Sequence, residues 1–158
     1  MADVQDLQRR FCVSDPPIDP VEIARGSGVD VLFVTFGGQS QRISGFYDAE
    51  ENAIYVNADE YPLRQTFTVA HELGHARLHR DWARGSEYQM LMRDQDAPSG
   101  NKYEKEANAF AAHLLVPRFL LDRYRHLEIS DLSRIFAVSV PVIENRLSFE
   151  YGLRTRAS

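Results

Sequence analysis

His71-Glu72-Leu73-Gly74-His75 lies inside residues 62–81, the most continuous helical pattern of the chain, and its reading decides the fold. An α-helix turns about 100° per residue, so positions four apart differ by about 40° in angle and about 6 Å along the axis. His71 and His75 therefore share a face, and two imidazoles one turn apart can close on one metal ion at the ~2.0–2.1 Å that zinc asks of nitrogen. Glu72 lies beside that face, within reach of a water at the metal but not of the metal itself. This is the spacing of the zinc-hydrolase motif, in which the glutamate takes a proton from the attacking water.

Two solvated surface histidines would be the bland alternative, and the setting argues against it. Leu63, Phe67, Val69, Ala70, Leu73, Ala76 and Leu78 surround the helix axis on nearly every side, and a helix apolar all round is a buried one. Burying two imidazoles and a carboxylate without partners costs several kcal/mol, which favours a metal. Gly74 costs a helix interior ~1 kcal/mol relative to Ala, so something is expected to pack against the backbone there.

With 158 residues, 44% of them hydrophobic, the chain suits one ordinary globular domain with a sizeable core, with room for a small appendage. The lone Cys12 cannot pair within the chain; it is expected to be a buried or half-buried thiol in a reducing compartment. No charged segment followed by an apolar run opens the chain, and no stretch approaches the ~20 apolar residues of a membrane span. The expected location is the cytoplasm. The net charge of -5 is uneven: residues 1–116 hold 11 basic and 18 acidic side chains, and residues 117–158 hold 7 and 5. An excess of +2 in the tail suits a solvated face better than a phosphate-binding one.

Val4, Leu7 and Phe11 recur at helical spacing, so residues 2–12 are expected to form a short helix. Asp19-Pro20-Val21-Glu22 reads as a capped helix start, with Gly26 and Gly28 at its end. Val31 to Phe36, Ile43 to Tyr47 and Ala53 to Val56 read as strands of a small three-stranded antiparallel sheet. Ala53 to Asn57 is the expected free edge, where an extended substrate peptide would add to the sheet. Residues 82–100 are polar and aperiodic, a candidate rim or flap over the site.

The second long helix, Tyr103 to Val116, bears on the third ligand. Glu104 falls inside its apolar arc with Asn108 one turn on, while Glu106 and His113 point to the other, solvated side. A carboxylate in an apolar face needs a partner, so Glu104 is favoured over Glu106 and Asp81, with Asn108 holding a histidine in its metal-binding orientation. His79 lies too far round the helix to reach the same ion. Tyr55, Tyr88 and Tyr103 are all candidate donors to a developing oxyanion. Beyond Pro117, Asp131 to Phe136 and Val140 to Tyr151 look like a helix-turn-helix. Val140, Pro141, Val142 and Ile143 stand where a DNA reader wants polar or basic residues, so packing or partner docking is expected rather than direct DNA binding. The expected architecture is α+β: a sheet on a buried metal-binding helix in residues 1–117, then a helical subdomain in 118–158.

Three stretches together resemble the ImmA/IrrE family of metallopeptidases: Ile54-Tyr55-Val56-Asn57, the run from Arg64 to His75, and the run from Glu104 to Pro117. The resemblance covers about residues 16–150, and its specificity comes from two helical motifs in order, about 30 residues apart. It implies a zincin-like core of gluzincin type with His71, His75 and Glu104 as ligands of Zn²⁺, or alternatively Mn²⁺, and Glu72 as catalytic base. It also implies an endopeptidase that cuts a helix-turn-helix repressor of Xre type, in the setting of mobile elements or a stress response. The alternative from another class is a metal-containing regulator, a repressor-binding module or a toxin-antitoxin component without peptidase activity. Glu72 discriminates between them, because a purely structural site needs ligands but no base.

Overall fold

The computed structural model describes residues 1–39, 43–85, 88, 91–92 and 101–152. Helix α1 (Ala2–Arg10) buries Val4 and Leu7. Helix α2 (Pro20–Gly26) starts where Asp19 accepts hydrogen bonds from the Val21 and Glu22 amides at 2.9 and 3.4 Å, with Pro20 in the first turn. Strands β1 (Asp30–Val34), β2 (Ile43–Asp48), β3 (Ala53–Asn57) and the two-residue β4 (Leu91–Met92) form one sheet in the order β1-β3-β2-β4.

The β2–β3 hairpin is antiparallel, its turn held by Asp48 accepting from the Glu50 and Glu51 amides at 2.9 and 3.0 Å. β1 instead runs parallel to β3, in register from Asp30–Ala53 to Val34–Asn57. The sheet is thus mixed, where the strand pattern suggested three antiparallel strands. Strand direction is not encoded in strand periodicity, and the connection between β1 and β2 is long enough to step over one ~4.8 Å strand spacing, leaving a gap that β3 fills. It also follows that β3 is central. Its backbone groups are used on both sides, so it is not the free edge for a peptide.

Helix α3 (Pro62–Leu78) lies against this sheet at Gly45, where the strand offers no side chain and Thr68 of the helix packs onto its backbone. A Cβ on Gly45 would come within 2.7 Å of Thr68 Cγ2 and 2.5 Å of the Tyr55 carbonyl. The middle of α3, Thr68 to His75, is buried. Leu63 and Leu78, expected to be buried, are 43% and 41% exposed because the sheet and the next long helix cover only the middle turns. That helix, α5 (Lys102–Leu115), is capped by Asn101, whose side chain accepts from the Tyr103 amide at 2.8 Å. It crosses α3 at Gly74, where a Cβ would lie 3.1 Å from the Phe110 ring and 3.3 Å from Ala107 Cα. Gly74→Ile is therefore expected to push the two helices apart and destabilise the fold by roughly 1–3 kcal/mol, read as a lower Tm.

The short α4 (Arg80–Ala83) follows α3 directly, and α6 (Arg118–Tyr124), α7 (Ile129–Phe136) and α8 (Val140–Tyr151) complete the chain. Leu120, Leu132, Phe136, Ile143 and Leu147 join the same apolar cluster as Val69, Leu73 and Leu114. The turn between α7 and α8 passes through Ala137 in the left-handed region at φ 53. Cys12 is exposed rather than buried, because α1 ends at Arg10 and Cys12 lies beyond it in a left-handed turn at φ 50. No helix among the described residues is long and apolar enough to cross a membrane.

His113, read from the sequence as solvated, is only 8% exposed. The face of α5 opposite Glu104 is covered by α8 and α1: Arg146 bonds to His113 Nε2 at 3.1 Å and to the Val116 carbonyl at 2.9 Å, and Gln8 donates to the His113 carbonyl at 3.1 Å. A guanidinium only donates, so His113 Nε2 accepts and the ring is neutral. Burial, and after it the Arg146 charge, hold its pKa down to about 4. The unfolded ring titrates near ~6.5, so its contribution is intact above that pH and is lost as the pH falls towards 4, where only the unfolded chain takes up the proton. The stability difference between the protein and His113→Gln is expected to shift by about 2 kcal/mol between pH 7 and pH 5, measured by urea denaturation.

Candidate metal centre

Helix α3 supplies His71, Glu72 and His75 from its buried middle, and α5 brings Glu104 from its first turn. His71 Nε2 and His75 Nε2 are 3.2 Å apart, and each lies 3.1 Å from a different oxygen of Glu104. Ligand atoms around a tetrahedral zinc at ~2.0–2.1 Å are spaced about 3.3 Å apart, so the two imidazole nitrogens, each with one oxygen of the carboxylate beside it, stand near the separation that such an ion asks. Among the described residues this is the cluster that could hold a metal. The rival carboxylates are elsewhere. Asp81 is fully exposed, and Glu106 turns away to His79 at 2.6 Å.

The surroundings fix the charge state of these groups. Asn108 Oδ1 lies 2.8 Å from His71 Nδ1; an amide oxygen only accepts, so the proton sits on Nδ1 and Nε2 presents a lone pair to the site. Burial pushes the Glu104 carboxyl up, but the His71 and His75 rings beside it outweigh burial and keep it low, as a carboxylate. Its place as the third residue of α5 adds the favourable field of a helix N-terminus. A capping-box carboxylate there would turn back on the N-cap amide; Glu104 turns to the histidines instead.

Glu72 is 1% exposed and stands outside the His71, His75 and Glu104 cluster. Its carboxylate accepts a hydrogen bond from the Tyr88 hydroxyl at 2.7 Å, and that hydroxyl accepts in turn from the Tyr47 amide of β2. Burial pushes the Glu72 carboxyl up, against the pull of His71, His75 and Tyr88. Burial and then Glu72 push the Tyr88 hydroxyl far up, so it remains a donor. Of the three candidate tyrosines, Tyr88 alone reaches Glu72. Tyr55 bonds to Glu51, and Tyr103 stacks on Trp82 at 4.6 Å. The rim or flap expected over residues 82–100 falls largely outside the described residues.

His79 and Trp82 also reach the centre, which sequence reasoning missed. His79 Nδ1 lies 3.1 Å from His75 Nδ1, and the Trp82 ring centroid lies 5.2 Å from that of His75. The signal was present: His79 follows His75 by one turn. It was weighed only as a direct ligand, and a residue that touches a ligand's far nitrogen does not need to reach the ion.

The profile of the IrrE N-terminal-like domain, of the M78 peptidases, matches residues 24–148. The chain is 32% identical over 131 residues to "Uncharacterized immunity region protein 2" of Bacillus phage phi105, covering 82% of this chain and 75% of that protein. It is 30% identical over 166 residues to "Radiation response metalloprotease IrrE" of Deinococcus radiodurans, covering 90% of this chain and 48% of that protein. The chain thus spans about half the length of this Deinococcus relative. Among solved structures, a Mycobacterium tuberculosis transcriptional regulator shares the fold with a TM-score of 0.66 at 20% identity, over 94% of this chain and 47% of that one. The profile match encloses both helices that build the centre, and the chain belongs to the M78 peptidase family, as an IrrE N-terminal-like domain.

Proposed function

We propose that the chain is a zinc-dependent endopeptidase of gluzincin type, with His71, His75 and Glu104 holding the ion and Glu72 as the base. The observation that carries this reading is the placement of Glu72. It is buried between the two histidines in sequence yet excluded from the set that would hold the metal, with its carboxylate held by Tyr88. A structural site has no use for such a group. Zinc, when bound, supplies Lewis acidity towards the scissile carbonyl and a water of lowered pKa. Glu72 accepts the proton of the attacking water and passes it to the leaving amine, and burial, which raises its proton affinity, suits it to carry the proton between the two. Tyr88 holds the carboxylate in place by donating its single hydroxyl proton to it. Tyr88→Phe is expected to lower kcat by tenfold or more with a smaller effect on KM, measured by steady-state cleavage of a peptide substrate.

The proposed substrate is a regulatory protein of helix-turn-helix type. The phage immunity-region relative supports a protein of this class, and the lack of basic residues at the start of α8 argues against direct DNA binding. The test incubates the protein with the repressor encoded beside its gene, with and without Zn²⁺ or Mn²⁺. Metal-dependent cleavage supports the proposal. Metal-independent DNA binding without cleavage would favour a regulator, and growth arrest on expression without the neighbouring gene would favour a toxin.

A further inference from the structure

The first histidine of the centre is oriented by Asn108; the second faces another histidine instead. His75 Nδ1 faces His79 Nδ1 at 3.1 Å, and His79 Nε2 faces Glu106 Oε2 at 2.6 Å. We propose that His79 and Glu106 form a relay that orients His75 for the metal, so that both are positioning residues of the centre. This rests on the reading of His71, His75 and Glu104 as a metal site.

The order of protons along the relay follows from what each group can do. A carboxylate only accepts, so the His79 proton sits on Nε2. A neutral imidazole carries one N–H, which leaves His79 Nδ1 as an acceptor. His75 Nδ1 must then be the donor between the two rings, and its own Nε2 is left as a lone pair, 3.1 Å from Glu104 and 3.2 Å from His71 Nε2. The relay thus fixes His75 in the metal-binding tautomer, as Asn108 fixes His71. Outer partners of this kind orient the ring and raise its basicity, and their loss costs 10–100-fold in metal affinity.

The surrounding packing holds the relay in place. His79 is 5% exposed, its ring edge-on to Tyr103 and Trp82 at 5.1 and 6.2 Å. Tyr103 and Trp82 stack on each other at 4.6 Å, so the ring is held by an aromatic pair from α5 and α4. Helix α5 therefore grips both histidines of α3: Glu104 binds with them directly, Asn108 reaches the far side of His71, and Glu106 reaches the far side of His75 through His79.

The side chain of Glu106 is 53% exposed, so its removal does not threaten the fold, and it is the decisive position. Zinc affinity is measured by competition with a chromophoric chelator for the wild type, Glu106→Ala, Glu106→Gln, His79→Phe and the double variant His79→Phe/Glu106→Ala. His79→Phe is expected to weaken zinc binding by 10–100-fold and Glu106→Ala by about tenfold. Glu106→Gln is expected to restore most of the loss, because its amide oxygen accepts the same proton. The double variant is expected to be no weaker than His79→Phe alone, since Glu106 acts only through His79. Nitrogen-15 NMR of the imidazoles is expected to show His79 as the Nε2–H tautomer and His75 as the Nδ1–H tautomer. Zinc affinity of Glu106→Ala within twofold of wild type, additive losses in the double variant, or the opposite His79 tautomer would each overturn the relay alone. A wild-type protein that binds no zinc would remove the metal reading and the relay together.

Discussion

Glu72→Gln is expected to lower kcat/KM for peptide cleavage by about 10³-fold while zinc content and Tm stay at wild-type values. General acid-base groups contribute ~10²–10⁴ in rate, equivalent to roughly 3–5 kcal/mol of barrier. The substitution is nearly isosteric, and its amide oxygen can still accept from Tyr88, which bonds to Glu72 at 2.7 Å. Packing is therefore preserved and only the proton acceptor is removed. Zinc content by mass spectrometry and Tm by calorimetry, taken on the same sample, separate loss of chemistry from loss of structure. Cleavage unchanged by this substitution would remove Glu72 from the mechanism, and cleavage lost together with zinc would place it among the ligands instead.

The second large effect is on stability. Removing zinc with a chelator is expected to destabilise the fold by about 4 kcal/mol when the free metal had stood at 10³ times its dissociation constant. For a chain of this size that corresponds to a drop in Tm of roughly 10 °C. The cost has a visible origin. Two imidazole nitrogens and a carboxylate lie within 3.1–3.2 Å of one another, in a region where His71 and His75 are 1% and 0% exposed, so little water can take the place of an ion between them. His75→Ala is expected to lower Tm in zinc-containing buffer and to lose the response to chelator. A Tm indifferent to chelator in the wild type would rule out a resident metal.

Much of this was legible in the sequence because helical periodicity is a local property. The positions of His71, Glu72 and His75 on one helix, and of Glu104 inside the apolar arc of α5, follow from counting residues around an axis. Gly74 marked a close approach to the α3 backbone, which the structure assigns to Phe110 and Ala107 of α5. The parallel pairing of β1 with β3 was not legible, since alternation says which face a residue takes and nothing about the direction of the neighbouring strand. His113 was misread for a related reason. Its arc of α5 is polar when counted alone and becomes interior only once Arg146 of α8 lies across it. His79 shows a third limit, because a ligand's outer partner is defined by which nitrogen is left over, and no spacing rule encodes that.

Glu104 sits three residues into α5, just after the Asn101 cap, with 21% of its side chain exposed, whereas His71 and His75 lie in the interior of α3. Helix ends open and close locally far more often than a domain unfolds. A metal held by this cluster would therefore leave by fraying of one helical turn rather than by unfolding of the whole protein. Ion exchange would then be fast even in a protein that is slow to unfold.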